Sequence, residues 1–137
     1  MSTTTFTIGR LAKAAGVRID TVRFYEREGL LAEAPRTEGG YRLYRAADAE
    51  RLKFIRRAKA LGFSLEDIAE LLKLTREGQD RSKVKAVAQR RVADLERRIR
   101  ELDAMRAILA HHVHHCSGRG PVKGCPIIEA LTAEPSS

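Results

Sequence analysis

The 137-residue chain has no tryptophan and only four Phe and three Tyr, so its core must be built mainly from Leu, Ile, Val and Ala. Its only thiols are Cys116 and Cys125. No apolar run approaches the roughly 18 residues of a membrane-spanning helix. The opening residues Met-Ser-Thr-Thr-Thr-Phe lack a basic segment followed by a hydrophobic stretch. A cytoplasmic protein with no membrane partner is therefore expected, in a reducing compartment where a structural disulfide is disfavoured. Paired carboxylates at a pocket-like spacing, a nucleophile motif and a phosphate-cradling glycine loop are all missing, so an enzyme is not expected. Negative charge is also scarce: 18 acidic residues face 26 Lys and Arg, a formal net charge of +8. That excess calls for an anionic partner, with nucleic acid ahead of an anionic membrane surface.

What is present is helical punctuation. Thr7 caps a helix from Ile8 to Ala15, and Gly16 stops it. A second helix over residues 20–28 ends at Gly29, and Leu11, Val17, Val22 and Leu30 give the pair an apolar seam, as in a helix-turn-helix. Residues 34–44 carry a proline start, a Gly-Gly turn and strand formers, and read as a β-hairpin in which Arg36, Arg42 and Arg45 interleave with Tyr41 and Tyr44. Helical periodicity resumes from about Ala46 to Leu61 with Leu52, Ile55 and Ala58 on one face. Ser64 and Asp67 then form a capping box before Ile68, Leu71 and Leu72. Thr75 to Asp80 breaks the pattern and is the expected boundary. From Ser82 to about His115 there is neither Gly nor Pro, and a stripe runs through Ala88, Val92, Leu95, Ile99, Leu102, Met105, Leu109 and Val113. A helix of roughly 50 Å with such a stripe needs a coiled-coil partner, for which an identical chain is the simplest supplier, with folding back on the N-terminal half of the same chain as the alternative.

Several blocks occur in order: Ile8-Gly-Arg-Leu-Ala, Thr21-Val-Arg-Phe-Tyr-Glu-Arg-Glu-Gly-Leu30, Gly40-Tyr-Arg-Leu-Tyr44, Phe54-Ile-Arg-Arg-Ala58 and Leu61-Gly-Phe-Ser-Leu-Glu-Asp-Ile68. Together they resemble the MerR family of bacterial transcription regulators over nearly the whole chain. The ending from Cys116 through Cys125-Pro-Ile-Ile-Glu-Ala-Leu131 resembles its heavy-metal-sensing branch. The resemblance implies a mainly α protein: a winged helix-turn-helix DNA-binding domain with connecting helices (residues 1–76), and an antiparallel coiled-coil dimerisation helix (77–115). A metal-binding loop, short helix and disordered tail (116–137) complete it. It further implies a homodimer on promoter DNA that untwists the duplex when metal binds, aligning the promoter for RNA polymerase.

By position in the family pattern, Arg23 and Tyr25 face DNA from the recognition helix. Arg36, Tyr41, Arg42 and Tyr44 do so from the wing, and Arg56 and Lys59 from the third helix. Cations neutralise phosphates with counterion release, and tyrosine hydroxyls bond phosphates and hold register. The competing reading places Tyr25 and Tyr44 in the core. Arg18 and Arg45 stand where the family often has a Ser or Thr cap. Each is expected to lose a cap bond, typically ~1 kcal/mol, and to gain a cation that reaches phosphate.

The eight residues between Cys116 and Cys125 can bring two thiolates onto one ion. Cys125 precedes Pro126, a preferred first helical residue, which places its sulfur at the N-terminus of a helix over 126–131 where thiolate is favoured. Soft thiolates select Cu(I), Ag(I), Au(I) or Hg(II), with Zn(II) if more ligands join. The family's divalent-ion sensors usually add a third cysteine at the start of the dimer helix; here Arg81 stands there, beside Ser82. That absence favours two-coordination by a monovalent ion, whereas the loop length resembles mercury and lead sensors. His112 and His115, in the run His111-His-Val-His-His115, are additional candidate ligands for a Zn or Co site. Their alternative role is at an exposed helix end that favours positive charge. A reversible Cys116–Cys125 disulfide in a redox-sensing regulator is a further alternative, as is a purely architectural DNA-binding dimer in which the two thiols are idle.

Overall fold

A computed structural model describes residues 5–78 and 80–133. In chain order the described elements are β1 (Thr5–Phe6), α1 (Ile8–Ala15), α2 (Ile19–Arg27), β2 (Tyr44–Arg45), α3 (Ala46–Ala60), α4 (Leu65–Glu77), α5 (Arg81–His115) and α6 (Pro126–Thr132). The chain divides into two compact units, between Ala88 and Gln89.

Local chemistry accounts for most helix ends of the first unit. Thr7 accepts from the Arg10 N–H, and Gly16 closes α1 in the left-handed region at φ 71°. Ser64 accepts from the Asp67 N–H at 3.0 Å to start α4. The α2 start at Arg18 has no side-chain cap, as expected. At Arg45 the expected loss is only partial: its N–H donates to Asp48 Oδ2 at 2.8 Å, so a carboxylate three residues on does half of a capping box.

The core of this unit collects Leu11, Val22, Leu31, Leu52, Ile55 and Ile68, all essentially without exposure, together with Tyr44. The hairpin expected over 34–44 is reduced to one bridge between Arg36 and Arg42. Its last residues pair elsewhere: β2 runs antiparallel to β1, with Phe6 opposite Tyr44. The reason is burial. Tyr44 points inward, and Phe6 packs against the same core, so both rings leave water together.

α4 continues through Glu77, past the expected start of the break at Thr75, and is capped by Gly78 at φ 62°, while Asp80 Oδ1 accepts from the Ser82 N–H ahead of α5. The compact unit nevertheless continues into α5, because Val87, 1 % exposed, packs with Leu71 and Leu74.

The second unit has no interior of its own. Among its described residues none is fully buried, and Val92, Ile99, Leu102, Met105, Ile108, Leu109 and Val113 are each more than half exposed. Its charged flank is self-paired: Asp94 accepts from Arg91 Nη1 at 2.6 Å and also holds Arg97 and Arg98. No described helix is long and apolar enough to cross a membrane.

Candidate DNA interface and thiol pair

An open cleft of about 450 Å³ lies between α2 and the Arg36–Arg42 turn. Arg23, Arg36, Tyr41 and Arg42 line it, so four residues expected to face DNA share one concave surface. Four arginines, Arg23, Arg27, Arg36 and Arg42, outnumber the two carboxylates Glu26 and Glu33 in its lining, which suits a polyanionic partner. The turn is held by the Thr37 N–H on the Tyr41 carbonyl (2.7 Å) and by Arg36 Nη1 on the Gly40 carbonyl (3.1 Å). Tyr41 is presented at its tip, 73 % exposed.

Arg18, Arg56 and Lys59 are exposed and do not line the cleft. Arg56 reaches back to the α1 end, where a Cβ at Gly16 would stand 3.4 Å from its Nη1. That is ordinary contact for the end of a flexible side chain, so it is the left-handed cap that calls for glycine there.

Two residues expected to contact phosphate are buried in the core. Tyr44 touches the cleft wall, but the side chain is fully buried and its hydroxyl donates to Glu26 Oε1 at 2.7 Å. Burial, and then that hydrogen bond, push its phenol well above the ordinary range. Tyr25 also belongs to the core, packed against Phe24, with its phenol raised by burial. In both cases the apolar body of the ring finds a place in a core poor in aromatics.

The residue that sequence reasoning missed is Glu26. Its side chain is 7 % exposed, accepts from Tyr44, and lies 3.5 Å from Arg42 Nη1, which also meets Glu33 at 3.6 Å. One carboxylate thus ties α2 to the wing and orients an arginine of the cleft. Nothing along α2 marked it, because both partners lie far along the chain.

In the second unit α5 ends at His115, and the Cys116 N–H still donates to the carbonyls of His112 (3.1 Å) and Val113 (3.3 Å). Cys125 is the N-cap of α6, with Pro126 as its first residue. The intervening chain turns through positive φ at Gly118, Gly120 and Gly124, and Ser117 Oγ accepts from the Arg119 N–H. This brings the two sulfurs, both half-buried and unbridged, to 3.8 Å. The N–H groups of Ile128 and Ile127 bond the Cys125 sulfur and hold its thiol below the ordinary value.

The donor set fits a soft ion. At a bond length of about 2.3 Å, two sulfurs on a tetrahedral centre stand about 3.8 Å apart, while linear coordination needs about 4.6 Å. The observed spacing matches the bent arrangement, and linear binding requires the loop to open by less than an ångström.

The histidines do not complete a larger site. Among the described residues no three His, Cys, Asp or Glu side chains gather to hold a metal. His112 is half-buried, and His115 Nδ1 is engaged with the His111 carbonyl at 3.0 Å. Arg81 is exposed at the first turn of α5 and supplies no donor of the soft type.

Residues 6–75 match the MerR HTH family regulatory protein description, and residues 49–112 match "MerR, DNA binding". The chain is 41 % identical to the mercuric resistance operon regulatory protein of Shigella flexneri, across 93 % of this chain and 88 % of that one. It is 45 % identical to the heavy metal-dependent transcription regulator 2 of Rhizobium meliloti, over 90 % and 84 %. The fold superposes on the lead(II) complex of the transcription regulator PbrR691 from Ralstonia metallidurans CH34 with a TM-score of 0.81. That alignment has 37 % identity and covers 93 % of this chain and 99 % of the other.

Proposed function

Since the chain belongs to the MerR family of helix-turn-helix transcription regulators, in its heavy-metal-sensing branch, we propose that it is a metal-responsive activator acting as a cytoplasmic homodimer on promoter DNA. Arg23, Arg36, Tyr41 and Arg42 grip the duplex through the cleft, and Arg18, Arg56 and Lys59 add phosphate contacts beside it. Tyr25, Tyr44 and Glu26 hold the helix and wing in register from beneath. The uncovered stripe of α5 meets the same stripe of a second chain, which gives the second unit the interior it lacks alone.

The observation that carries the sensing role is the 3.8 Å approach of Cys116 and Cys125. One sulfur ends α5 and the other begins α6, so holding an ion between them ties the dimer helix to the loop. The chemistry supplied by the ion is a pair of strong bonds to soft thiolates, favoured for Hg(II), Cu(I), Ag(I) and Au(I). Zn(II) needs four ligands, more than this chain assembles among its described residues. Cys125 is poised for the task because two backbone N–H groups already stabilise its thiolate. Rearrangement at this junction is transmitted to the bound duplex, which untwists and presents its promoter elements to RNA polymerase.

Transcription in vitro from the cognate promoter, with Cu(I), Ag(I), Hg(II), Zn(II), Cd(II) and Pb(II) supplied in turn, tests this. A soft ion is expected to activate the parent, and Cys116→Ser or Cys125→Ser to abolish induction while DNA binding persists. Equal induction of the serine variants, or no response to any ion, overturns the proposal.

The same sulfur separation supports a second reading, a reversible disulfide that signals oxidation. Anaerobic metal titration with thiol counting separates the two. A metal sensor protects both thiols from reagent at one ion per chain, and a redox sensor leaves them reactive.

A further inference from the structure

Four histidines occupy the last turns of α5, and His111 and His115 form a pair that the thiol site does not use. Both are exposed, one helical turn apart, with ring centroids 4.3 Å apart and an interplanar angle of 38°. His115 Nδ1 lies 3.0 Å from the backbone oxygen of His111. A carbonyl oxygen only accepts, so this nitrogen carries the hydrogen, and the neutral ring keeps its lone pair on Nε2. An imidazole that donates to a carbonyl from one nitrogen and leaves the other free has the support typical of a metal-ligating histidine. Two histidines four residues apart on one helical face also recur in helical zinc sites.

The other two rings do not join this arrangement. His112 is half-buried and meets His111 edge-on at 5.3 Å, and His114 meets His115 edge-on at 5.5 Å.

We infer that His111 and His115 form a second cation site on each chain, which takes a borderline divalent ion such as Ni(II), Cu(II) or Zn(II) on their ring nitrogens. Imidazole suits these ions, whereas the thiol pair selects softer ones. Exposure leaves water to fill the remaining positions. An ion bridging these two residues clamps the last turn of α5, whose His112 and Val113 carbonyls receive the Cys116 N–H. Occupancy therefore stiffens the helix end that presents Cys116. The site is independent of the thiol reading, and its test removes the thiols.

The untagged full chain carrying Cys116→Ser and Cys125→Ser is titrated with Ni(II), read by calorimetry and by histidine ring-proton NMR. One Ni(II) per chain is expected, with the ring signals of His111 and His115 broadened first. His111→Ala and His115→Ala should each weaken binding at least roughly tenfold, the lower end of what even an outer-shell loss costs a metal site. His114→Ala should change it less than about twofold. Absence of binding, uniform broadening of all four rings, or unchanged affinity in His115→Ala overturns the inference.

Discussion

Replacing Tyr44 with Phe separates the two roles that sequence position allows this residue. The ring is fully buried, its hydroxyl donates to Glu26 Oε1 at 2.7 Å, and the Glu26 side chain is itself only 7 % exposed. Phe keeps the ring, so no cavity opens, and the loss is confined to one hydrogen bond onto a charged, shielded acceptor. Such bonds contribute about 1.5–3 kcal/mol. Arg42 Nη1 remains 3.5 Å from the carboxylate and is partly exposed, which offsets some of the loss through a solvent-screened pair. A destabilisation of about 2 kcal/mol in urea unfolding of the DNA-free protein is expected, with an unchanged m-value. The phenol is held above its unfolded value, so this contribution is whole below pH 10.0 and is lost as pH rises towards the folded value. The gap between parent and variant should accordingly narrow in strong alkali. A hydroxyl that served only to bond phosphate would leave the free protein untouched. Stability within about 0.5 kcal/mol of the parent, the limit of an ordinary surface change, combined with a clear loss of DNA affinity, refutes the reasoning.

Arg18→Ser should raise stability by roughly 0.5–2 kcal/mol by supplying the cap that α2 lacks. It should also reduce the salt dependence of DNA binding by about one phosphate contact; an unchanged slope excludes Arg18 from the backbone contacts. Leu102→Lys places a charge in the exposed stripe of α5 and should shift sedimentation from dimer to monomer, while a dimer unaffected by this change would remove the stripe from the interface. In Cys116→Ser, thiolate absorbance of Cys125 should appear below pH 9.0, owing first to the Ile128 N–H and then to that of Ile127. The stability from this ionised thiol is present above that ordinary value and is lost as pH falls through the lowered one. Identical titrations in folded and denaturant-unfolded protein would contradict it.

Helix ends and helix faces were legible in the residues themselves. Thr7, Gly16, Ser64 and Pro126 act on backbone groups within four positions, and all four mark the boundaries observed. The glycine-free run announced α5 to within a residue. The candidate ligands Cys116 and Cys125 were legible for the same reason, each adjoining a helix terminus whose signal is local. Glu26 was not, because a charged residue inside a helix carries no mark of the distant groups it will bond.

The sequence alone therefore determined the order of helices, the cationic character of the chain, the unpartnered stripe and the identity of the two thiols. Each rests on composition or on neighbours along the chain. Only the tertiary structure decided that β2 leaves its hairpin for Thr5–Phe6, about forty residues away, and that Tyr44 spends its hydroxyl on Glu26. It also decided that Val87 packs with Leu71 and Leu74 and that the sulfurs stand 3.8 Å apart. Alternation in a strand shows that two faces differ but not which partner buries one of them. A loop's composition permits closure, but the distance it closes to is set by the backbone angles of the whole turn and by the helix ends that anchor it.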